Sequence, residues 1–153
     1  MRAAEICTRH VVCIATSASI REAALKMRNH HVGSLVVADQ PNGERVPVGV
    51  ITDRDIAVAV VAAGIDPDSL TVEDVMSRDV VTCTESESLF DIIATMLARG
   101  VRRLPVLNDK GGLAGMISAD DVYGALSTHL HMVSHALSRA QAHEMEVRAE
   151  ETP

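Results

Sequence analysis

The sequence predicts an α+β fold, with two tandem βαββα repeats packed sheet against sheet and an extra C-terminal helix. Three observations carry that prediction. Most of the chain aligns with itself at a constant offset, and each copy alternates strand-like and helix-like apolar patterns. A long stretch after the second copy then keeps helical periodicity alone.

The self-alignment places residues 5–12 on 74–81, Ser19-Ile-Arg-Glu22 on Ser88-Leu-Phe-Asp91, Met27 on Met96, and 35–37 on 104–106. After a loop three residues shorter in the second copy, Gly49-Val-Ile-Thr-Asp-Arg-Asp55 falls on Gly115-Met-Ile-Ser-Ala-Asp-Asp121.

The elements follow in order. An apolar segment at 11–14, with its counterpart at 80–83, reads as a short strand. Ser19 with Glu22, and Ser88 with Asp91, form Ser-x-x-acid capping boxes that open a helix. Ile20, Ala23, Ala24 and Met27 then share one helical face, as do Leu89, Ile92, Ile93 and Met96. A β-branched strand at 35–37 leads to a turn at Pro41-Asn42-Gly43 (108–112 in the second copy) and to a strand at 48–51. A helix closes the first unit from about Asp53. Pro105 has no N–H for a ladder, so the second copy's middle strand is expected at a sheet edge, or to begin at that residue. Gly64-Ile-Asp-Pro-Asp68 has linker chemistry. The chain thus divides into a first repeat at 1–62, a linker at 63–72, a second repeat at 73–127 and a helical tail at 128–153.

In that tail, Leu126, Leu130, Val133, Leu137 and Ala140 recur at alternating steps of four and three, a short heptad stripe. The stripe either covers the chain's own core or pairs with a second subunit. Its continuation beyond the repeat favours the second.

Composition narrows the function. Apolar residues make up 47% of the chain, yet Phe90 and Tyr123 are its two aromatics, so Val, Ile, Leu, Ala and Met must fill the core. The formal charge of −7 argues against a nucleic-acid polymer, whose phosphates call for clustered Lys and Arg, but not against a single nucleotide. Cys7, Cys13 and Cys83 are few and odd in number, as free thiols in a reducing compartment are. No apolar run reaches the roughly 18–20 residues of a membrane span, and the N-terminus lacks the pattern of a signal peptide. A cytoplasmic protein without membrane attachment is expected.

The informative constellation is Gly49, Thr52 and Asp55, repeated as Gly115, Ser118 and Asp121. A hydroxyl where a strand meets a helix, with a carboxylate three residues on, is a helix cap. The same groups also suit a ribose, since an ionised Asp accepts hydrogen bonds from two vicinal hydroxyls at once. The glycine lets a ligand or a neighbouring backbone come close.

These repeats resemble the cystathionine β-synthase (CBS) domain, and two in tandem resemble a CBS pair, or Bateman module, of the small stand-alone bacterial kind. The resemblance runs from about residue 4 to 127. It rests on the two Gly-to-Asp motifs, on Val101-Arg-Arg-Leu-Pro-Val106, on the segments ending in Val-Val, and on the linker. It implies that AMP, ADP or ATP, and by extension NAD(H) or S-adenosylmethionine, binds in clefts between the repeats, with no cofactor required. Thr52 and Asp55 would hold the ribose in one cleft, Ser118 and Asp121 in the other. Adenine would lie near Val12, Val50 and Ile51, or near Val81, Met116 and Ile117. Arg102 and Arg103 fall where many nucleotide-binding members carry a basic residue, with Arg54 as a further phosphate candidate. The first copy has Gly33-Ser34 at the positions of Arg102 and Arg103, so the clefts are unequal. The resemblance also implies a homodimer in a flat disc. No output domain is legible, so any signal is expected to pass to a separate protein target.

Competing readings are a ligand-free protein-interaction scaffold and a metal sensor. The metal reading uses Cys7, His10 and Cys13, with His30 or His31 as fourth ligand; two ordinary half-buried cysteines explain the same residues. His131 and His135, four apart on the tail, are spaced to clip a metal or to sit on a solvated helix face. The chain carries no P-loop, G-x-G-x-x-G, H-E-x-x-H or G-x-S-x-G, and a non-enzyme is expected.

Overall fold

A computed structural model describes residues 1–40 and 43–150; Pro41 and Asn42 of the expected turn, and the last residues of the tail, lie outside it. The first copy comprises α1 (Ala3–Ile6), β1 (Cys13–Ile14), α2 (Ile20–His30), β2 (Ser34–Asp39), β3 (Val46–Thr52) and α3 (Asp53–Ile56). Helix α3 runs on into a π-helical turn at Ala57–Val61. The second copy comprises α4 (Val72–Val75), β4 (Cys83–Thr84), α5 (Leu89–Arg99), β5 (Arg103–Leu107), β6 (Leu113–Ser118) and α6 (Ala119–Glu150).

The two sheets have the same topology. Strand β2 lies between β1, which is parallel to it, and β3, which is antiparallel; β5 lies likewise between β4 and β6. Ser19 and Ser88 cap α2 and α5: the Glu22 N–H donates to Ser19 Oγ at 3.1 Å, and the Asp91 N–H to Ser88 Oγ at 3.3 Å; at α2 the box is completed by the Ser19 N–H, which donates to Glu22 Oε2 at 2.7 Å. Helix α5 ends on left-handed Gly100, whereas α2 ends on left-handed His31, at φ 55°.

Pro105 corrects one expectation. It lies inside β5, the central strand, opposite Met116. It is tolerated because its nitrogen faces the side where β4 has not yet begun. In the first copy the Val36 N–H donates to the Val12 carbonyl at 3.2 Å. Pro105 stands at the position of Val36 and has no proton to give Val81, so β4 starts one residue later in register than β1.

Each sheet buries one face against its helices. Leu35, Val37 and Ile51 pack with Ile20, Ala23 and Met27 in one cluster; Leu104, Val106 and Ile117 pack with Leu89, Ile92 and Met96 in the other. Val36 and Pro105, on the opposite faces of the middle strands, are also buried. Neither aromatic takes part, Phe90 and Tyr123 each being 76% exposed.

The segment leading into each copy packs on the other copy. Ala3 and Ile6 belong to the second copy's cluster, and Val72 and Met76 to the first's. Thr8 pairs with Met116 through two backbone bonds of 2.9 Å, and Ser77 pairs with Val50 through bonds of 2.9 and 3.0 Å. Motif glycines make this possible. A Cβ on Gly115 would lie 2.9 Å from the Thr8 carbonyl oxygen, and one on Gly49 would lie 3.0 Å from that of Ser77. The close neighbour is therefore crossing backbone, one of the two alternatives the sequence left open.

Helix α6 spans 32 residues, about 48 Å at 1.5 Å per residue. Leu126 packs against the second cluster, but Leu130, Val133 and Leu137 are 70%, 56% and 61% exposed. Beyond Leu126 the stripe covers no core of its own chain. No helix among the described residues is long and apolar enough to cross a membrane.

Candidate functional site

Thr52 ends β3 and caps α3. Its N–H and hydroxyl both donate to Asp55 Oδ2, at 2.8 and 2.7 Å, and the Asp55 N–H donates back to Thr52 Oγ1 at 3.1 Å. Ser118 and Asp121 repeat the arrangement at 2.8, 2.5 and 3.2 Å. In both corners every recorded side-chain bond falls on Oδ2, so among the described residues Oδ1 of each carboxylate is left for another donor.

A third box supplies an internal comparison. Thr71 donates its N–H and hydroxyl to Asp74 Oδ2, each at 2.8 Å, at the start of α4. Those bonds, the backbone N–H first, hold the Asp74 carboxyl below its ordinary range. Thr71 and Asp74 line neither cleft described below. Capping geometry is therefore common to all three boxes, and what sets the repeated motif apart is its position.

Two clefts open between the copies. One, about 300 Å³, brings Met116, Ser118 and Asp121 of the second copy to face Val12, His31 and Ser34 of the first, with Arg103 on its wall. The other, about 290 Å³, brings Val50, Thr52 and Ser34 to face Val81, Arg102 and Arg103. The Val segments are thus exchanged relative to the sequence expectation: Val12 accompanies Met116 and Ser118, and Val81 accompanies Val50 and Thr52. The reason is the reciprocal crossing of the leading segments.

The other predicted residues divide. Ile51 and Ile117 are fully buried in the helix-backed clusters, one step out of phase with Val50 and Met116, and reach neither cleft. Asp55 does not line the second cleft, where Thr52 does; Asp121 lines the first together with Ser118. Arg54 lines neither, Arg102 lines only the Thr52 cleft, and Arg103 lines both. Sequence reasoning missed His31 and Ser34. For His31 there was a signal, since it occupies the helix-ending position that is Gly100 in the other copy.

The metal reading is not supported. Cys7 packs in the second cluster and Cys13 sits in the first copy near Arg45, because the intervening chain crosses between sheets. Among the described residues no three His, Cys, Asp or Glu side chains converge to hold a metal. Burial, with Glu87 and Cys7 adding to it, pushes the Cys83 thiol up to about 12. Burial also raises that of Cys13, against the pull of Arg45 and Lys26.

Two larger recesses, about 520 and 540 Å³, lie beside β1 and share Cys13, Lys26, Gln40 and Arg45; the first adjoins the Ser118 cleft, with which it shares His10, Val11 and Val12.

Relatives give these features a context. A protein of Methanopyrus kandleri, MK0525, is 34% identical over 118 residues, covering 77% of this chain, which spans only 59% of that protein. A 17.7 kDa protein of Acidianus ambivalens is 41% identical over 125 residues, covering 82% of this chain and 73% of its own. Among solved structures, the CBS domain pair of protein MJ0100, in complex with 5′-methylthioadenosine and S-adenosyl-L-methionine, superposes with a TM-score of 0.70. It is 26% identical, covering 84% of this chain and 98% of that one. A hexameric CBS-CP12 protein from bloom-forming cyanobacteria gives a TM-score of 0.70 at 28% identity, covering 80% and 66%. The CBS domain pattern itself matches twice, at residues 3–62 and 72–128, so the two sheets with their exchanged leading segments are a tandem pair and the chain belongs to the CBS-domain family.

Proposed function

We propose that this CBS pair is a regulatory sensor, not an enzyme, that binds an adenosine-containing ligand (AMP, ADP or ATP, with NAD(H) or S-adenosylmethionine as further candidates) between its repeats. One observation carries the reading: Ser118 and Asp121 stand together on the wall of an inter-repeat cleft, with Asp121 Oδ1 unengaged and Arg103 on the same wall. A carboxylate already fixed through one oxygen presents the other to vicinal ribose hydroxyls without further loss of side-chain freedom. The guanidinium matches a phosphate group. Apolar Val12 and Met116 suit an adenine face. The MJ0100 complex adds that a pair of this fold takes up adenosine derivatives.

The second cleft is poorer in acid, because Asp55 does not reach it, and richer in cation, with both Arg102 and Arg103. We assign phosphate preference to this side and ribose grip to the other.

Isothermal titration with AMP, ADP, ATP, NADH and S-adenosylmethionine tests the proposal. Asp121→Asn should weaken binding about 10- to 100-fold, the loss of a charge-assisted hydrogen bond or two. Asp74→Asn removes the same kind of cap and should leave affinity unchanged. Equal loss in both variants, or no heat with any of the five compounds at millimolar concentration, overturns the sensing role and leaves the interaction scaffold. Signalling would then, as now proposed, pass through a homodimer and a separate protein target, with exposed Leu97, Phe90 and the α6 stripe as apolar surface for association.

A further inference from the structure

The first recess beside β1 adjoins the Ser118 cleft along His10, Val11 and Val12, and among the described residues its charged side chains are of one sign. It is bounded by His10, Lys26, His30 and Arg45, with Cys13 between them, and has no carboxylate on its wall; Asp39 appears only in the second recess. Lys26 is half-buried and, among the described residues, has no ion-pair partner. Arg45 forms none either, and its recorded bond goes from Nη1 to the Cys13 sulfur at 3.6 Å. Both cations act on that one thiol, which places them around a common point. In a chain of formal charge −7, four other arginines (Arg9, Arg21, Arg78 and Arg99) each sit against a carboxylate.

The duplicated copy shows that the fold does not require this cluster. At the repeat offsets, His10 corresponds to Asp79, Lys26 to Thr95, His30 to Arg99 and Arg45 to Gly111. There the charges cancel internally, Arg99 Nη2 donating to both Asp79 oxygens at 2.9 Å. In the first copy that acid and its arginine are both replaced by histidine, and Lys26 and Arg45 are added. Like charges facing one hollow repel unless a counter-charge enters. A volume of about 520 Å³ is within the range of small-molecule sites.

We infer that the hollow beside β1 is a second ligand site, which binds a small polyanion carrying phosphate or carboxylate groups between Lys26, Arg45, His10 and His30. Lys26 and Arg45 supply the charge, Arg45 through a planar fork and Lys26 as a point cation. The site adjoins the Ser118 cleft through His10, but Lys26 and Arg45, which carry its charge, line neither cleft.

Cys13 provides a local reporter. The full-length protein is alkylated with iodoacetamide in the presence of pyrophosphate or of citrate, and modification is located by peptide mass mapping. Either anion should slow alkylation of Cys13 by about tenfold, as occupancy of the hollow covers the thiol, and should leave Cys83 unchanged. Protection by pyrophosphate alone assigns a phosphorylated ligand, and by citrate alone a polycarboxylate. Lys26→Gln with Arg45→Gln should abolish protection, the exposed single change Arg45→Gln should weaken it, and Asp121→Asn should preserve it. Three results overturn the inference: no protection by millimolar anion, protection undiminished in the double variant, or protection lost with Asp121→Asn, which would make the hollow part of the ribose cleft.

Discussion

A methyl group at Gly115 would meet the Cys7 sulfur and the Thr8 carbonyl oxygen, each at 2.9 Å, and the second of these is backbone locked in a two-bond pairing with Met116. Gly115→Ala should therefore destabilise the protein by about 1–3 kcal/mol, the usual cost of overpacking, as read by urea denaturation. Gly124, on α6, has open space around its Cβ position, and Gly124→Ala should stabilise by up to about 1 kcal/mol. Opposite signs for two glycine-to-alanine changes separate close approach from backbone freedom. The contrast also bears on the motif. Its glycine serves the exchange of segments, and its hydroxyl and acid start the helix, so three neighbouring residues answer to different demands.

Among the elements, α6 departs furthest from its repeat. Its counterpart in the first copy is a four-residue α3 followed by a π-helical turn, in which β-branched Val58, Val60 and Val61 crowd the backbone. The stripe at Leu130, Val133 and Leu137 stays mostly exposed among the described residues. If the proposed homodimer pairs through this stripe, Leu130→Glu with Leu137→Glu should lower the mass seen by light scattering to that of a monomer at micromolar concentration, with helix content by circular dichroism little changed; an unaltered mass would count against that pairing. Residue-level signals foretold much at this scale. Capping boxes at Ser19 and Ser88 and the face at Ile20, Ala23 and Met27 located the helices because caps and periodicity act within a few residues. Pro105 misled because strand position is a long-range property: whether a missing N–H matters depends on how far β4 extends. The pairing of Val12 with Met116, rather than with Val50, was hidden for the same reason, since no local rule reports which sheet a crossing segment joins.

In the whole molecule, neither repeat is self-sufficient. The first cluster needs Val72, at the end of the linker, and Met76 beyond it, and the second needs Ala3 and Ile6 from the other end of the chain. A fragment of residues 1–66 lacks the first pair and should be unfolded by near-native tests such as amide exchange, whereas the intact chain should melt in one transition. Two resolved transitions would show that the copies are independent. Linker contacts reinforce the union, as Arg21 donates to Asp68 at 2.6 Å and the Ile20 N–H to the Leu70 carbonyl at 3.1 Å.

Arg103 borders both inter-repeat clefts. One guanidinium cannot give its full fork to two anionic guests, so the first occupant to claim it leaves the other compartment with a weaker hold. If both clefts take anionic ligands as proposed, sharing this one side chain would make them antagonists, and a titration should show a second binding step weaker than the first.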